Sequence, residues 1–412
     1  MEDGKGQASP PGGAATAVDW RRNLLVLWIA QFAAILGFAF AFPFLPIYIQ
    51  QLGVRDPRQV ALWVGAAGGA TGIALAISSP IWGLLADRFG RKSMVIRAMV
   101  GGGLTVGLIA LARGPLDLVL LRLLQGLFAG TVAATTTLVA TGTPRERVGW
   151  AMGLMSSAIA LGGAIGPLAG SVVASYFGLR ATFVAGGALL LVAVFPVIFA
   201  VHEAPIQRVV GKREPAMRVL RQAGAGTLFA VTVLLAVQCL GQISQSGMQQ
   251  LVALKLLSLT SGNGSTAAVG VAFACAGVAS ALAAIFYSRL VPLAGYRGVL
   301  IGAALLSMLA LIGMGWTNAV IGVIVTTFLG GLFFGALGPA TSAMIGLEAP
   351  PEVQGRVFGI SASATAIGFA VGPLGGGALA GLVNVPVALY VMAAISGILS
   401  GLMAISGREP KR

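Results

Sequence analysis

A short charged segment, GLLADRFGRK at residues 83–92, lies between two long apolar runs. Its two glycines, one acid and three bases are Gly83, Gly90, Asp87, Arg88, Arg91 and Lys92. The glycines permit a tight turn, and the acid can accept N–H groups at a helix N-terminus. The bases can pair with carboxylates of other loops, such as Glu146 or Glu352. A run of cations that only orients the chain in a membrane is the alternative, but it would need no fixed order of residues.

A single arginine, Arg122, lies inside the fourth apolar run. A charge within a membrane costs a few kcal/mol and usually marks a function, although a long side chain can also extend to the membrane surface. Of the 12 carboxylates, only Asp117 enters an apolar run. Five residues turn a helix by about 140°, so Asp117 and Arg122 do not share a face. If a carboxylate carries protons within the membrane, Asp117 is the first candidate.

A polar stripe follows the seventh apolar run, and its members are Gln238, Gln242, Gln245 and Gln249. At about 100° per residue they fall within roughly 60° of arc. Amides in hydrocarbon cost free energy unless they are paired, so the stripe faces either a wet cavity or another helix. Other residues that can line a cavity are Gln31 and the aromatic residues of the first and tenth runs, namely Trp28, Phe32, Phe38, Phe42, Phe328, Phe333 and Phe334. The aromatic residues can equally face lipid or neighbouring helices.

The elements that must position these residues are membrane-spanning helices. The chain has 412 residues, of which 57% are hydrophobic and 9% charged, whereas soluble proteins are about a quarter charged. A bilayer core needs about 20 apolar residues per helix. Apolar runs that fit are predicted near 23–49, 60–84, 93–112, 116–141, 149–176, 181–201, 227–253, 267–290, 298–315, 319–346, 356–382 and 386–405.

The chain is predicted to consist of two halves that are related in sequence. The segment GLMSSAIALGGAIGPLAGS, from residue 153, aligns with GISASATAIGFAVGPLGGG, from residue 359. Such repeats are typical of secondary transporters, although channels and membrane enzymes can also be duplicated. We predict a disordered tail at 1–20, helix bundles at 21–201 and 225–406, a linker at 202–224 and a second tail at 407–412.

Charge predicts the orientation and excludes some partners. The Lys and Arg residues concentrate on the side of the termini and the linker, and the five on the opposite side are Arg55, Arg58, Arg113, Arg180 and Lys255. The positive-inside rule therefore predicts cytoplasmic termini. The net charge of +14 could suggest a nucleic-acid partner. We do not expect one, because the sequence has no basic patch with interleaved aromatic residues. With only Cys239, Cys275 and His202 as soft ligands, no metal site, cofactor or enzymatic site is predicted.

Three motifs resemble those of the major facilitator superfamily. GLLADRFGRK is similar to its motif A. RLLQG, with Arg122, Gln125 and Gly126, fits its fourth-helix motif. GGAIGPLAG resembles the antiporter motif of the fifth helix, and its key residues here are Gly162, Gly166, Pro167 and Gly170. PFLPIYIQQLGV (43–54), SPIWGLLADRFGRK (79–92) and GLRATF (178–183) resemble the drug:proton antiporter branch, in particular the MdtG-type multidrug-efflux group.

The resemblance implies an all-α integral membrane protein with twelve transmembrane helices in two pseudo-symmetric six-helix bundles. It further implies a monomer of the inner membrane that exports amphiphilic compounds in exchange for protons. Motif A would be a latch whose Asp87 meets the start of the eleventh helix, near residues 354–357. Arg122 would take part in proton movement, and the first, fourth, seventh and tenth helices would line the cavity.

One departure from the branch concerns the first helix, where many drug:proton antiporters carry an acid and this chain offers only Gln31. The lack of a buried acid weighs against a dedicated cation exporter and favours neutral or amphiphilic substrates. A facilitator-type metabolite or sugar carrier, exporter or importer, is the alternative function.

Overall fold

The computed structural model describes residues 19–203, 224–260, 263–350 and 353–406, and within these ranges it contains helices and no strand. The twelve helices that are long and apolar enough to cross a membrane are α1 Trp20–Gln51, α2 Pro57–Phe89, α3 Arg91–Ile109, α4 Pro115–Gly142, α5 Val148–Phe177, α6 Leu179–Ala200, α7 Ala225–Leu259, α8 Gly264–Tyr287, α9 Arg289–Trp316, α10 Val320–Glu348, α11 Gln354–Leu382 and α12 Val385–Ser406. The prediction of twelve spans is confirmed. Three predicted segments lie largely outside the described residues. Of the first tail only Asp19 and Trp20 are described, and of the linker only His202, Glu203 and Gly224. None of the second tail is described.

Two helices of the first half are interrupted. In α1 a 3-10 turn, Phe42–Phe44, precedes the short final segment Leu45–Gln51, because Pro43 and Pro46 lack the N–H donors of a regular helix. In α4 the helix stops at Phe128 and restarts at Thr131. Gly130 has a φ of +114° at this break, a conformation that residues with a Cβ rarely adopt.

The two halves repeat one another in packing as well as in sequence. In the first half Gly162 and Gly166 of α5 lie against α1, and in the second Gly368 and Gly372 of α11 lie against α7. These glycines occupy corresponding positions of the repeat. Close contact between helix backbones needs such small residues in a membrane protein.

The halves meet from the middle of the bundle to one end, through α2 with α11 and α5 with α8. A Cβ at Gly72 would overlap the backbone of Ala370, and a Cβ at Gly277 would lie 2.6 Å from the Cα of Ala164. Ala164 and Ala370 correspond in the repeat, so the two contacts are symmetric copies. This end is the one that holds the end of α1.

The other end of the bundle, where α1 begins and α6 ends, has a looser boundary between the halves. A Cβ at Gly83 of α2, or at Gly153 of α5, would meet no atom within 4 Å. The same holds for Gly359 of α11. The protein is therefore closed at one end, and these positions of the facing helices are unpacked at the other.

Candidate substrate cavity

A cavity of about 260 Å³ lies between the two halves, and α5, α7, α8 and α10 line it. Its polar groups belong to Gln245, Gln249, Ser280 and Thr327, and its large apolar groups to Met248, Phe273 and Phe334. No ionisable side chain is among its lining residues. The cavity therefore offers amide and hydroxyl hydrogen bonds within an apolar surface, as ligand pockets generally do.

A smaller cavity continues along the glutamine stripe. Gln238, Gln242 and Gln245 line it together with Phe334 and Thr341. All four glutamines of the stripe thus border open space, as the first of the two interpretations predicts. The second interpretation also holds at one position, since Gln238 Nε2 donates to Thr365 Oγ1 of α11 at 3.2 Å.

Three predicted cavity residues do not line either of these two cavities. Gln31 is fully buried, and its Oε1 accepts a hydrogen bond from Thr135 Oγ1 of α4. Phe32 stacks on Trp28 with ring centroids 5.7 Å apart. Phe328 is not among the residues that line either cavity.

The helices that line the larger cavity also differ from those that the resemblance implies. Its lining includes α7 and α10, as expected, but α5 and α8 take the places of α1 and α4. The physical reason is the packing of α5 on α1, since the glycine face of α5 covers α1 at this level. The face of α5 with Ala160 and Gly163 is left toward the cavity.

The antiporter motif divides between these two faces of α5. A Cβ at Gly162 would lie 2.9 Å from the Cβ of Ile35, and one at Gly166 would lie 2.5 Å from the Cβ of Ala39. A Cβ at Gly163, by contrast, would meet nothing within 4 Å. The remaining members also make contacts between helices: a Cβ at Gly170 would overlap the Phe40 carbonyl of α1, and the Pro167 carbonyl faces Gly270 of α8.

Arg122 is buried, with 3% of its surface exposed, so its side chain does not extend to the surface. Its Nη1 donates to Gln125 Oε1 at 2.6 Å, and its Cζ lies 4.3 Å from the centre of the Phe42 ring. Its Nε has no hydrogen-bond partner. Within the described residues no carboxylate forms an ion pair with Arg122.

The other residues near Arg122 hold α4 in place. Thr71 Oγ1 of α2 donates to the Arg122 carbonyl at 2.9 Å, and a Cβ at Gly126 would overlap the Thr71 carbonyl. Asp117 lies at the exposed start of α4, where its Oδ2 accepts from Arg113 N at 3.0 Å. Asp117 therefore binds the turn that precedes α4 and does not meet Arg122, in agreement with the angle between them.

The charged hairpin is bound by an acid that the sequence did not single out. Glu203, just after α6, accepts hydrogen bonds from the backbone N–H groups of Arg91, at 2.8 Å, and Lys92, at 2.9 Å. Lys92 Nζ donates to the Ile198 carbonyl at 2.7 Å. The expected pairing of the hairpin bases with Glu146 is not found in the described residues, because Glu203 lies closer to the start of α3.

The remaining motif A expectations fall partly outside the structure. The side chain of Asp87 and residue Glu352 are outside the described residues, and Gly90 has a φ of +90° where α2 turns into α3. In the sequence, the role of Glu203 is indicated only by its position as an acid at the start of the predicted linker. Among the described residues, no group of three or more His, Cys, Asp or Glu could hold a metal ion.

Comparison with known proteins identifies the family. The Major Facilitator Superfamily profile matches residues 27–259 and 243–412. The multidrug resistance protein MdtG of Escherichia coli O17:K52:H18 is 32% identical over 370 residues, which are 88% of this chain and 89% of MdtG. MdtG of Escherichia coli strain K12 has the same identity and coverage.

Solved structures share the fold at low identity. The nucleoside transporter NupG superposes with a TM-score of 0.74 at 14% identity, covering 93% of this chain and 98% of NupG. The human organic anion transporter MFSD10 gives a TM-score of 0.71 at 18% identity, covering 93% of this chain and 99% of MFSD10. With twelve membrane-spanning helices in two related bundles, the chain belongs to the Major Facilitator Superfamily and is a multi-pass membrane transporter, not an enzyme.

Proposed function

We propose that this transporter exports amphiphilic, drug-like compounds by alternating access, in exchange for protons. The observation that carries the proposal is the uncharged cavity between the halves, with glutamine, hydroxyl and aromatic walls. Its position at the interface of two repeats is the usual place of a transporter's binding site. The name of the relative MdtG, a multidrug resistance protein, supports the same substrate class.

We also propose that the protein is a monomer in the inner membrane with both termini in the cytoplasm. The distribution of Lys and Arg supports this orientation. The closed end, where Gly65 of α2 lies against Gly377 of α11 and Gly270 of α8 against Ser171 of α5, then faces outward, and the looser end faces the cytoplasm. In this state an exporter would take up its substrate.

Two groups, Arg122 and Asp117, are the candidates for proton coupling. We expect uptake of an amphiphilic dye into inverted membrane vesicles, whose cytoplasmic face is turned outward, to depend on an imposed pH gradient. Arg122→Ala is expected to lower gradient-driven transport at least tenfold, because a desolvated charge in a span marks a functional position. Arg113→Ala, which changes an exposed arginine at the start of α4, is the control. Gradient-independent dye movement by the wild type would contradict proton coupling, and no movement of any amphiphile would contradict the proposed substrate class.

Motif A is proposed to act as a latch on the cytoplasmic side, through Asp87 and the start of α11. In the described state Glu203 holds the hairpin to its own bundle. We expect Asp87→Asn to abolish transport with unchanged abundance in the membrane, because a neutral side chain interacts more weakly with a helix N-terminus. Normal dye efflux by this variant would refute the latch.

A metabolite or sugar carrier is the second candidate function, and the size of the cavity favours it. A volume of about 260 Å³ is at the lower end of the range for ligand pockets, which runs from about 300 to 1,000 Å³. Small polar solutes would also satisfy Gln245 and Gln249. Thermal unfolding of the purified protein with dyes or with sugars distinguishes the two, since a bound ligand raises the unfolding temperature.

A further inference from the structure

The break in α4 leaves backbone groups that need partners, and three of its carbonyls have them. Trp82 Nε1 donates to the Leu127 carbonyl at 2.7 Å, and Ser78 Oγ donates to the Gly126 carbonyl at 3.3 Å. Arg97 Nη2 of α3 donates to the Ala129 carbonyl at 3.4 Å. Non-helical backbone in a membrane requires such compensation. Side chains of α2 and α3 therefore satisfy these three carbonyls.

The donor side of the break is not satisfied. Gln31 Nε2 and Thr131 Oγ1 have no hydrogen-bond partner, and these residues are 0% and 4% exposed. Nε and Nη1 of Arg97 also lack partners, while its guanidinium lies 3.8 Å from the centre of the Trp82 ring. The N–H groups of the first turn after the break have no partner within the helix. Unpaired buried polar groups cost about 1–3 kcal/mol each, which is why native structures rarely keep them.

These donors lie together around the restart of α4. Thr131 is the first residue after Gly130, and a Cβ at Gly130 would lie 3.7 Å from Arg97 Nη2. Gln31 is held against the next turn by its hydrogen bond from Thr135. Four residues of helix rise by about 6 Å, so the unpaired donors of α1, α3 and α4 border the same turn of α4. Ala129, Gly130 and Arg97 are partly exposed, which leaves the break accessible.

The charge of this cluster selects the ligand. Arg97 supplies a cation, the restarted helix directs the positive end of its dipole at the same place, and no carboxylate pairs with Arg97 in the described part of the chain. We propose that the break in α4 binds one anionic oxygen group, of the carboxylate class, on a solute. This site is separate from the lining of the larger cavity, and binding there does not require transport.

The test is thermal unfolding of the purified full chain in neutral detergent with benzoate, and with benzamide as the uncharged counterpart. We expect benzoate to raise the unfolding temperature and benzamide not to do so at the same concentration. Thr131→Val removes a hydroxyl that has no partner, so folding is retained while benzoate affinity falls roughly tenfold. Arg97→Gln is expected to lose the benzoate response, and Arg113→Gln is expected to keep it.

A second variant guards against misfolding of Arg97→Gln. Gln31→Glu places a carboxylate among the donors, so we expect it to raise the unfolding temperature without benzoate and to abolish the benzoate response. An equal response to benzoate and benzamide, or no response in the wild type, would overturn the proposal in favour of water at these donors. Stabilisation by phosphatidylglycerol micelles but not by benzoate would overturn the assignment to a solute and indicate a lipid headgroup. Benzoate binding without dye transport would instead refute the proposed function alone.

Discussion

Replacing Gly72 by leucine is expected to abolish transport while the protein remains folded in the membrane. A Cβ at this position would overlap the backbone of Ala370, at mid-length of α2, where the contact of α2 with α11 that continues to the closed end begins. Extra atoms in a packed contact cost about 1–3 kcal/mol, which shifts a two-state equilibrium by roughly 5- to 150-fold. The strain exists only while this end is closed, so the variant should accumulate with the end open and stop cycling.

The repeat supplies a second position for the same experiment. Gly277 of α8 faces Ala164 of α5 as Gly72 faces Ala370, so Gly277→Leu is expected to act like Gly72→Leu. Gly302→Leu is the matched control, because a Cβ at Gly302 of α9 would meet nothing within 4 Å.

Two measurements check this expectation. Dye efflux reports transport, and the reaction of Gln249→Cys with a membrane-impermeant maleimide reports opening of the closed end, in a background without Cys239 and Cys275. The reaction should be faster in both leucine variants and unchanged in Gly302→Leu. Full transport by Gly72→Leu would mean that the cycle does not need this contact.

The helices and the repeat could be predicted because both can be read directly from the order of residues along the chain. A span is set by its length and its apolar content, and the repeat aligns Gly166–Pro167 with Gly372–Pro373. The glutamine stripe could be predicted for a similar reason, since helical spacing alone puts the four amides on one face. These predictions need no knowledge of which helices touch.

The features that the sequence did not predict depend on partners far along the chain. Gln31 lies away from the cavity because Thr135, on another helix, binds its amide. Glu203 binds the start of α3 because α6 ends beside it. The sequence does not distinguish Gly130 from the other glycines, of which there are 60 in all. The break there depends on the donors Ser78, Trp82 and Arg97, which belong to neighbouring helices.

The division of the antiporter motif gives the sharpest test of the cavity. Gly163→Leu is expected to leave stability unchanged and to remove transport of bulky dyes, because the new side chain enters the space of about 260 Å³. Gly166→Leu is expected to lower stability by about 1–3 kcal/mol, because its Cβ would lie 2.5 Å from that of Ala39. The two positions are three residues apart, which is about 4.5 Å along the helix axis and about 60° around it, so they are near neighbours on α5 whose surroundings differ.

Thermal unfolding and efflux of dyes of increasing size, measured for Gly163→Ala, Gly163→Val and Gly163→Leu, would show whether the loss grows with side-chain volume. A graded loss that begins with the largest dye would mean that Gly163 limits substrate size, as a residue at the cavity wall must. An equal loss for all dyes, with a fall in stability like that of Gly166→Leu, would place Gly163 in the packing of α5. Unchanged efflux of every dye would mean that this cavity does not bind the transported dyes, because a side chain that occupies the binding space should reduce transport.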